Sequence, residues 1–181
     1  MDNYAEYMIR HHKTAADKVK SALYVLAALV LSAVFAYLPI LLHSQITVMV
    51  CLLCVVAVWY GCWMLLRRQN VEYEYVFVNG ELDVDVIYAK STRKNLVSVR
   101  MRDITFCARR DDERFDRQYS NVPAHLYLIS AVSDAPGAKV YYADFMYNAE
   151  RTRLLFEPSD EILEMMKKYN PKNIHTPEEE N

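Results

Sequence analysis

Cys51 and Cys54 form a Cys-x-x-Cys pair, with Cys62 further along and Cys107 alone. Exposed thiolates at that spacing hold a metal ion or run disulfide exchange. Here the pair lies in a stretch without a single charged residue, where thiols pack as small hydrophobes. His11 and His12 are adjacent. Neighbours on a helix point about 100° apart, so the two rings do not converge on one ion. Asp111, Asp112, Glu113 and Asp116 are carboxylates of the kind that bind metals or carry acid–base chemistry, but Arg109, Arg110, Arg114 and Arg117 are interleaved with them. That mixture predicts a self-neutralising, solvated, partly mobile loop. No Ser/His/Asp or Cys/His set is close enough in sequence to point to a nucleophile. Gly61, Gly80 and Gly137 are the only glycines, too few and too scattered for a phosphate-cradling loop. No catalytic residue, no metal and no cofactor is implied.

The elements that must position these residues divide sharply. From Ser21 to Leu66, 46 residues, there is no Asp, Glu, Lys or Arg; the other 135 residues carry all 44 charges. A mean hydropathy of -0.07 averages over two different regimes. Residues 21–42 and 46–66 are two apolar runs of 22 and 21 residues. At about 1.5 Å per helical residue each spans roughly 30 Å, the thickness of a hydrocarbon core. His43, Ser44 and Gln45 alone join them, so the spacing predicts an antiparallel two-helix transmembrane hairpin. The first run is too long, too late and too quickly followed by a second to be a cleaved signal.

Arg10, Lys13, Lys18 and Lys20 precede the hairpin, Arg67 and Arg68 follow it, and its loop has no Lys or Arg. This places both termini in the cytoplasm and the chain in the plasma membrane. Residues 1–20, with a loose stripe of Tyr4, Tyr7, Met8 and Ala15, read as an interfacial helix leading into the first span. Ala28, Ser32 and Ala36, and then Ala57 and Gly61, repeat at four-residue spacing, as in close helix packing within lipid. Packing inside the hairpin is the plainer reading of this seam; a homodimer is the sharper one. Neither span carries an ionisable pathway, which argues against transport by one chain.

Beyond Asn70 the period changes to two. Val71–Val78 and Glu81–Tyr88 alternate apolar and polar residues around Asn79–Gly80, a strong signal for a tight hairpin. Residues 96–108 change phase at Arg102–Asp103, which predicts two short strands or a bulge. Residues 125–133 and 139–147 read as strands joined by the turn Asp134–Gly137, and 151–156 as a last strand. Ser159 can cap a helix to Tyr169, with Asp160 and Glu161 in its first turn and Lys167 and Lys168 in its last. Residues 171–181 read as a disordered acidic tail.

Six or seven antiparallel strands in two orthogonal sheets, closed by one C-terminal α-helix over residues 71–170, are the fold this order predicts. The stretch VEYEYVFVNGELDVDVIYAKSTRKNLVSVRMRDI, behind a two-helix hairpin, resembles bacterial membrane proteins with a cytoplasmic pleckstrin-homology-like (PH-like) domain, a family of unknown function. The resemblance covers most of residues 20–170. It implies a mainly-β PH-like domain on a membrane hairpin and implies no reaction. The inositol-phosphate-binding PH domains use a long basic first loop; Asn79–Gly80 is short and carries no cation, so no phosphoinositide site is implied.

Lys90, Arg93 and Lys94, together with Arg67 and Arg68, are the candidate contacts for anionic lipid headgroups. Each such cation is worth about 1 kcal/mol near an anionic surface. Residues 67–181 carry 17 basic and 20 acidic groups, a balance that disfavours nucleic acid. The function expected is a membrane-anchored scaffold that binds a protein partner, at a free strand edge or in the groove beside the C-terminal helix. An enzyme or transport accessory subunit completed by another chain is the competing class.

Overall fold

The computed structural model of the chain describes residues 4–43, 45–120 and 125–177. It divides into two compact units. One is Met1–His12 with Val71–Asn181; the other is Lys13–Asn70. The helical unit is thus an insertion in the β unit.

In the inserted unit, α1 runs Ala15–Leu42 and α2 runs Gln45–Arg68. Helix α1 starts six residues before the uncharged run, because Thr14 and Asp17 form a reciprocal cap. The Asp17 carboxylate accepts from the Thr14 N–H at 3.0 Å, and the Thr14 hydroxyl accepts from the Asp17 N–H at 3.3 Å. His43 closes α1 in the left-handed region (φ 48°), its N–H donating to the Pro39 carbonyl at 3.0 Å. Both helices are long and apolar enough to cross a membrane. Only 6% and 11% of their most apolar stretches are buried within the protein.

Among the described residues the β unit holds eight strands: β1 Tyr4–Arg10, β2 Val71–Val78, β3 Glu81–Tyr88, β4 Thr92–Arg100, β5 Ile104–Arg109, β6 Leu126–Ala131, β7 Tyr141–Tyr147 and β8 Glu150–Phe156. They form two four-stranded sheets, ordered β1-β2-β3-β4 and β5-β7-β8-β6. A short α3 (Asp116–Ser120) and a C-terminal α4 (Asp160–Tyr169) complete the unit. The main core lies between the sheets and α4, around Tyr75, Phe77, Leu82, Met101, Leu154, Phe156, Ile162 and Met166.

The expected order of strands followed by one helix holds. Asn79 (φ 49°) and Gly80 (φ 87°) make the predicted turn, and the phase change at Arg102–Asp103 is a 3-10 turn at Met101–Asp103 between β4 and β5. Ser159 caps α4, its hydroxyl accepting from the Ile162 N–H at 3.2 Å.

Four expectations change. Residues 4–10 are a strand, not an interfacial helix: they pair with β2 over seven positions, from Tyr4↔Val78 to Arg10↔Glu72, and bury Ala5 and Ile9. Pairing with an existing strand decides the matter over a helical spacing of only a few residues. The β domain therefore reaches back to β1 and forward past residue 170. Secondly, the sheets are not wholly antiparallel, because β6 lies parallel to β8, which separates it from β7. Asp134–Gly137 belongs to a crossover, not to a hairpin.

Thirdly, the charged segment after Arg109 is not one irregular loop: it carries a 3-10 turn at Glu113–Phe115 and then α3, with Phe115 and Tyr119 half-buried and most of its charged side chains exposed. It roofs a second small core of Ala108, Val132, Val140, Tyr142 and Leu155. Arg153, only 3% exposed, holds the roof down. Its guanidinium grips Asp144 at 2.6 and 2.7 Å and donates to the Tyr119 carbonyl at 2.6 Å, lying over the rings of Tyr142 and Tyr119. Fourthly, residues 173–175 run beside β5 and bury Ile174 instead of forming a disordered tail. The acidic end of that segment, residues 178–181, lies outside the described residues, as does Ser44 between the helices.

Candidate functional site

The register of the first sheet gathers one set of features at one end. Arg10 ends β1, Val71 begins β2, Tyr88 ends β3 and Thr92 begins β4, and they pair across as Val71↔Tyr88 and Tyr88↔Thr92. The His11 N–H continues the ladder by donating to the Val71 carbonyl at 2.9 Å. Both connections to the helical unit leave from this end, after His12 and before Val71.

The β3–β4 turn lies at the same end. Ala89 (φ 53°) and Lys90 (φ 57°) both take the left-handed conformation, closed by the Ser91 N–H donating to the Tyr88 carbonyl at 3.0 Å. Neither is glycine or asparagine, so the turn costs about 1 kcal/mol or more per residue. It projects Lys90 into solvent. Lys94, opposite Val86, is exposed as well.

Arg93 is placed differently. It stands on the outer face of the sheet, its guanidinium against the buried Glu74 carboxylate and 3.8 Å from Asp85. Asn95 donates to the same Asp85 at 2.8 Å. Burial pushes the Glu74 carboxyl above the usual carboxylate range; Arg93 opposes that shift, and a hydrogen bond with Glu6 and the charges of Glu6 and Asp85 add to it. Glu6 is shifted down, chiefly because the Tyr4 hydroxyl donates to it at 2.5 Å. Glu6, Glu74, Arg93 and Asp85 thus tie β1, β2, β3 and β4 together across one face. Among the described residues no three His, Cys, Asp or Glu side chains are grouped to hold a metal ion.

Of the five expected headgroup contacts, Lys90 and Lys94 are exposed without an ion pair among the described residues. Arg93 is engaged with acids. Arg67 and Arg68 are exposed in the last turn of α2, where Arg67 lies 5.3 Å over the Trp63 ring. Arg100 and Arg102, which follow in sequence, pair with Asp103 at the other end of the sheet. Eight strand residues at about 3.4 Å each separate Arg100 from Thr92 by roughly 27 Å.

The expected packing seam also divides. Ala28 is buried and Ser32 and Gly61 are half-buried. Ala36 and Ala57 face outward. Cys51 and Cys62 are buried and Cys54 is half-buried, all free thiols, so the Cys-x-x-Cys pair contributes to helix packing. At the charged end of the hairpin the Ser21 hydroxyl donates to the Gln69 side-chain oxygen at 2.6 Å, joining the start of the first run to the end of α2.

Sequence reasoning missed two features that bear on docking. The Ala131 carbonyl of β6 accepts from the Tyr75 hydroxyl and the Ser133 carbonyl accepts from the His12 N–H at 2.6 Å, so the end of that edge is not free. The groove beside α4, expected as a docking surface, is filled along β5 by residues 173–175. No periodicity in the sequence marks either feature.

The family model described as "Bacterial PH-like domain (DUF6106)" matches residues 1–176, which takes in β1, both helices, all the remaining strands and α4. No curated protein and no solved structure matches the chain. The chain belongs to this bacterial PH-like domain family, whose function is unknown.

Proposed function

We propose that the protein is a non-enzymatic membrane module. In this reading α1 and α2 span the plasma membrane, and the PH-like domain and both termini are cytoplasmic. The domain recognises a protein partner, with Lys90 and Lys94 resting on anionic headgroups. The observation that supports it most is the insertion of the two helices between β1 and β2. Paired strands cannot lie on opposite sides of a bilayer, so a hairpin inserted between them must leave and re-enter on one face. The flanking Arg10, Lys13, Lys18, Lys20, Arg67 and Arg68 support the cytoplasmic face for it. Lys90, in the β3–β4 turn, and Lys94, near the start of β4, lie at the end of the sheet from which both connections leave.

Hydrogen exchange of the full-length chain in nanodiscs tests the lipid contact. The amides of Tyr88–Thr92 are expected to slow when anionic lipid replaces zwitterionic lipid, and the effect is expected to vanish in K90E/K94E. Equal exchange in both lipids would refute it. Photo-crosslinking in native membranes tests the partner: recovery of no adduct beyond lipid would remove the protein-recognition half.

A further inference from the structure

Strand β5 has β7 on one side. Its other side is occupied by a segment that belongs to no sheet. The Cys107 N–H donates to the Asn173 carbonyl at 2.7 Å, and the His175 N–H donates to the Cys107 carbonyl at 2.8 Å, in parallel sense. Ile174 between them is 1% exposed and sits in the main core. The Asn173 amide donates to the Ile104 carbonyl at 3.0 Å. The His175 ring lies 5.0 Å from Phe106 and 4.7 Å from Phe115. Lys167 of α4 donates to the Thr176 hydroxyl at 2.8 Å. Backbone bonds to a strand edge, one side chain in a core pocket and one ring in a stack are how an extended peptide is recognised by strand addition.

We propose that the seam between β5 and α4 is the docking slot for an extended segment of the partner protein, and that residues 173–176 fill it in the resting chain as an intramolecular ligand. The inference rests on the reading of the protein as a binding module. The occupant present specifies the occupant sought: an extended segment parallel to β5, with a branched aliphatic residue where Ile174 sits, an amide before it and a flat ring after it. The bridge to β5 covers one residue, whereas every other pairing in the two sheets covers five to eight. Residues 170–172 join it to α4 through a turn in which the Asn173 and Ile174 N–H groups donate to the Asn170 carbonyl at 3.3 and 3.2 Å and the Asn170 amide donates to the Met101 and Ile104 carbonyls at 2.7 and 3.0 Å, so the internal ligand is held close to its slot. A competing segment must therefore bind tightly or be confined to the same membrane.

The probe is a fluorescent peptide with the sequence of residues 170–181, added to the full-length chain in nanodiscs. It should bind Ile174→Asp, whose own segment is expelled, about tenfold or more tightly than wild type, whose slot is filled. The same peptide carrying Ile174→Asp should bind neither. No binding to an Ile174→Asp chain that keeps its β2–β3 amides protected, or equal binding to both chains, overturns the proposal. If that variant does not fold, the wild-type chain decides. Its Cys107 amide should exchange through local opening about a hundredfold faster than those of Phe77 and Val84. Exchange of Cys107 as slow as theirs overturns the proposal. Neither readout involves lipid, so its failure leaves the nanodisc result at Tyr88–Thr92 standing, and the reverse.

Discussion

Arg10 and Glu72 face each other across β1 and β2, joined Nε to Oε1 at 2.9 Å, although 62 positions separate them in the chain. Everything between them except the strand ends is the helical unit. Two strands that would ordinarily be linked by a short turn are instead linked by two apolar helices.

The helices should therefore be removable. Replacing residues 13–70 with a short Gly/Ser linker is expected to give a soluble, cooperatively folding domain, because the His11 N–H already reaches the Val71 carbonyl at 2.9 Å. Residues 71–181 alone should aggregate, since loss of β1 exposes the β2 edge. Thermal unfolding and gel filtration of the two proteins check this. A well-behaved 71–181 would show that β1 is dispensable.

β1 is also where sequence and structure part company, and the reason is physical. Ala5 and Ile9 carry its burial, too few residues for a period-two signal, while Tyr4, Tyr7 and Met8 fit a helix equally well. Its identity depends on β2, which lies beyond both helices. The Asn79–Gly80 turn was readable because its residues state their own conformation. The Ala89–Lys90 turn takes the same left-handed geometry with residues that do not advertise it. Lys90 and Lys94 were legible as cations. That Arg93 beside them turns onto Glu74 depends on cross-strand register, which a basic run does not encode. The segment at 173–175 has no pattern of its own and is ordered by the edge it meets.

The Glu74 carboxyl gives a pH dependence. Its folded pKa lies above the unfolded value because burial outweighs Arg93. The stability it contributes is therefore present at low pH and lost as pH rises from the ordinary carboxylate range through the raised value. Glu74→Gln removes this loss. The melting temperature of Glu74→Gln relative to wild type should rise with pH between about 4 and 7. A difference that is flat or falls with pH would contradict the burial argument.

Gly80 should tolerate no side chain. Its φ is 87°, and a Cβ there would meet the Tyr169 ring at 2.7 Å, so Gly80→Ala both strains the turn and pushes on α4. A loss of about 1–3 kcal/mol is expected in chemical denaturation. Tyr169→Ala in the same background should recover part of it by removing the clash.

Arg153→Met should cost about 3–5 kcal/mol, because it strands Asp144 and releases the Tyr119 carbonyl. Arg153→Lys should not restore stability, since a lysine cannot grip the carboxylate with two parallel bonds. Limited proteolysis should then cut within residues 110–120, which wild type protects. Equal resistance in all three proteins would mean that the aromatic contacts of Phe115 and Tyr119 hold the roof alone.

The most direct test of the membrane account is the side of the bilayer on which each unit's tip is reached. Cysteines are placed one at a time, as Ser44→Cys between the helices and Asn95→Cys on β4. Cys51, Cys62 and Cys107 are buried and Cys54 is half-buried, which keeps the native background low. A membrane-impermeant maleimide added to intact cells should label Ser44→Cys and leave Asn95→Cys unmodified until the cells are opened. Labelling of Asn95→Cys but not Ser44→Cys in intact cells would contradict the proposed topology.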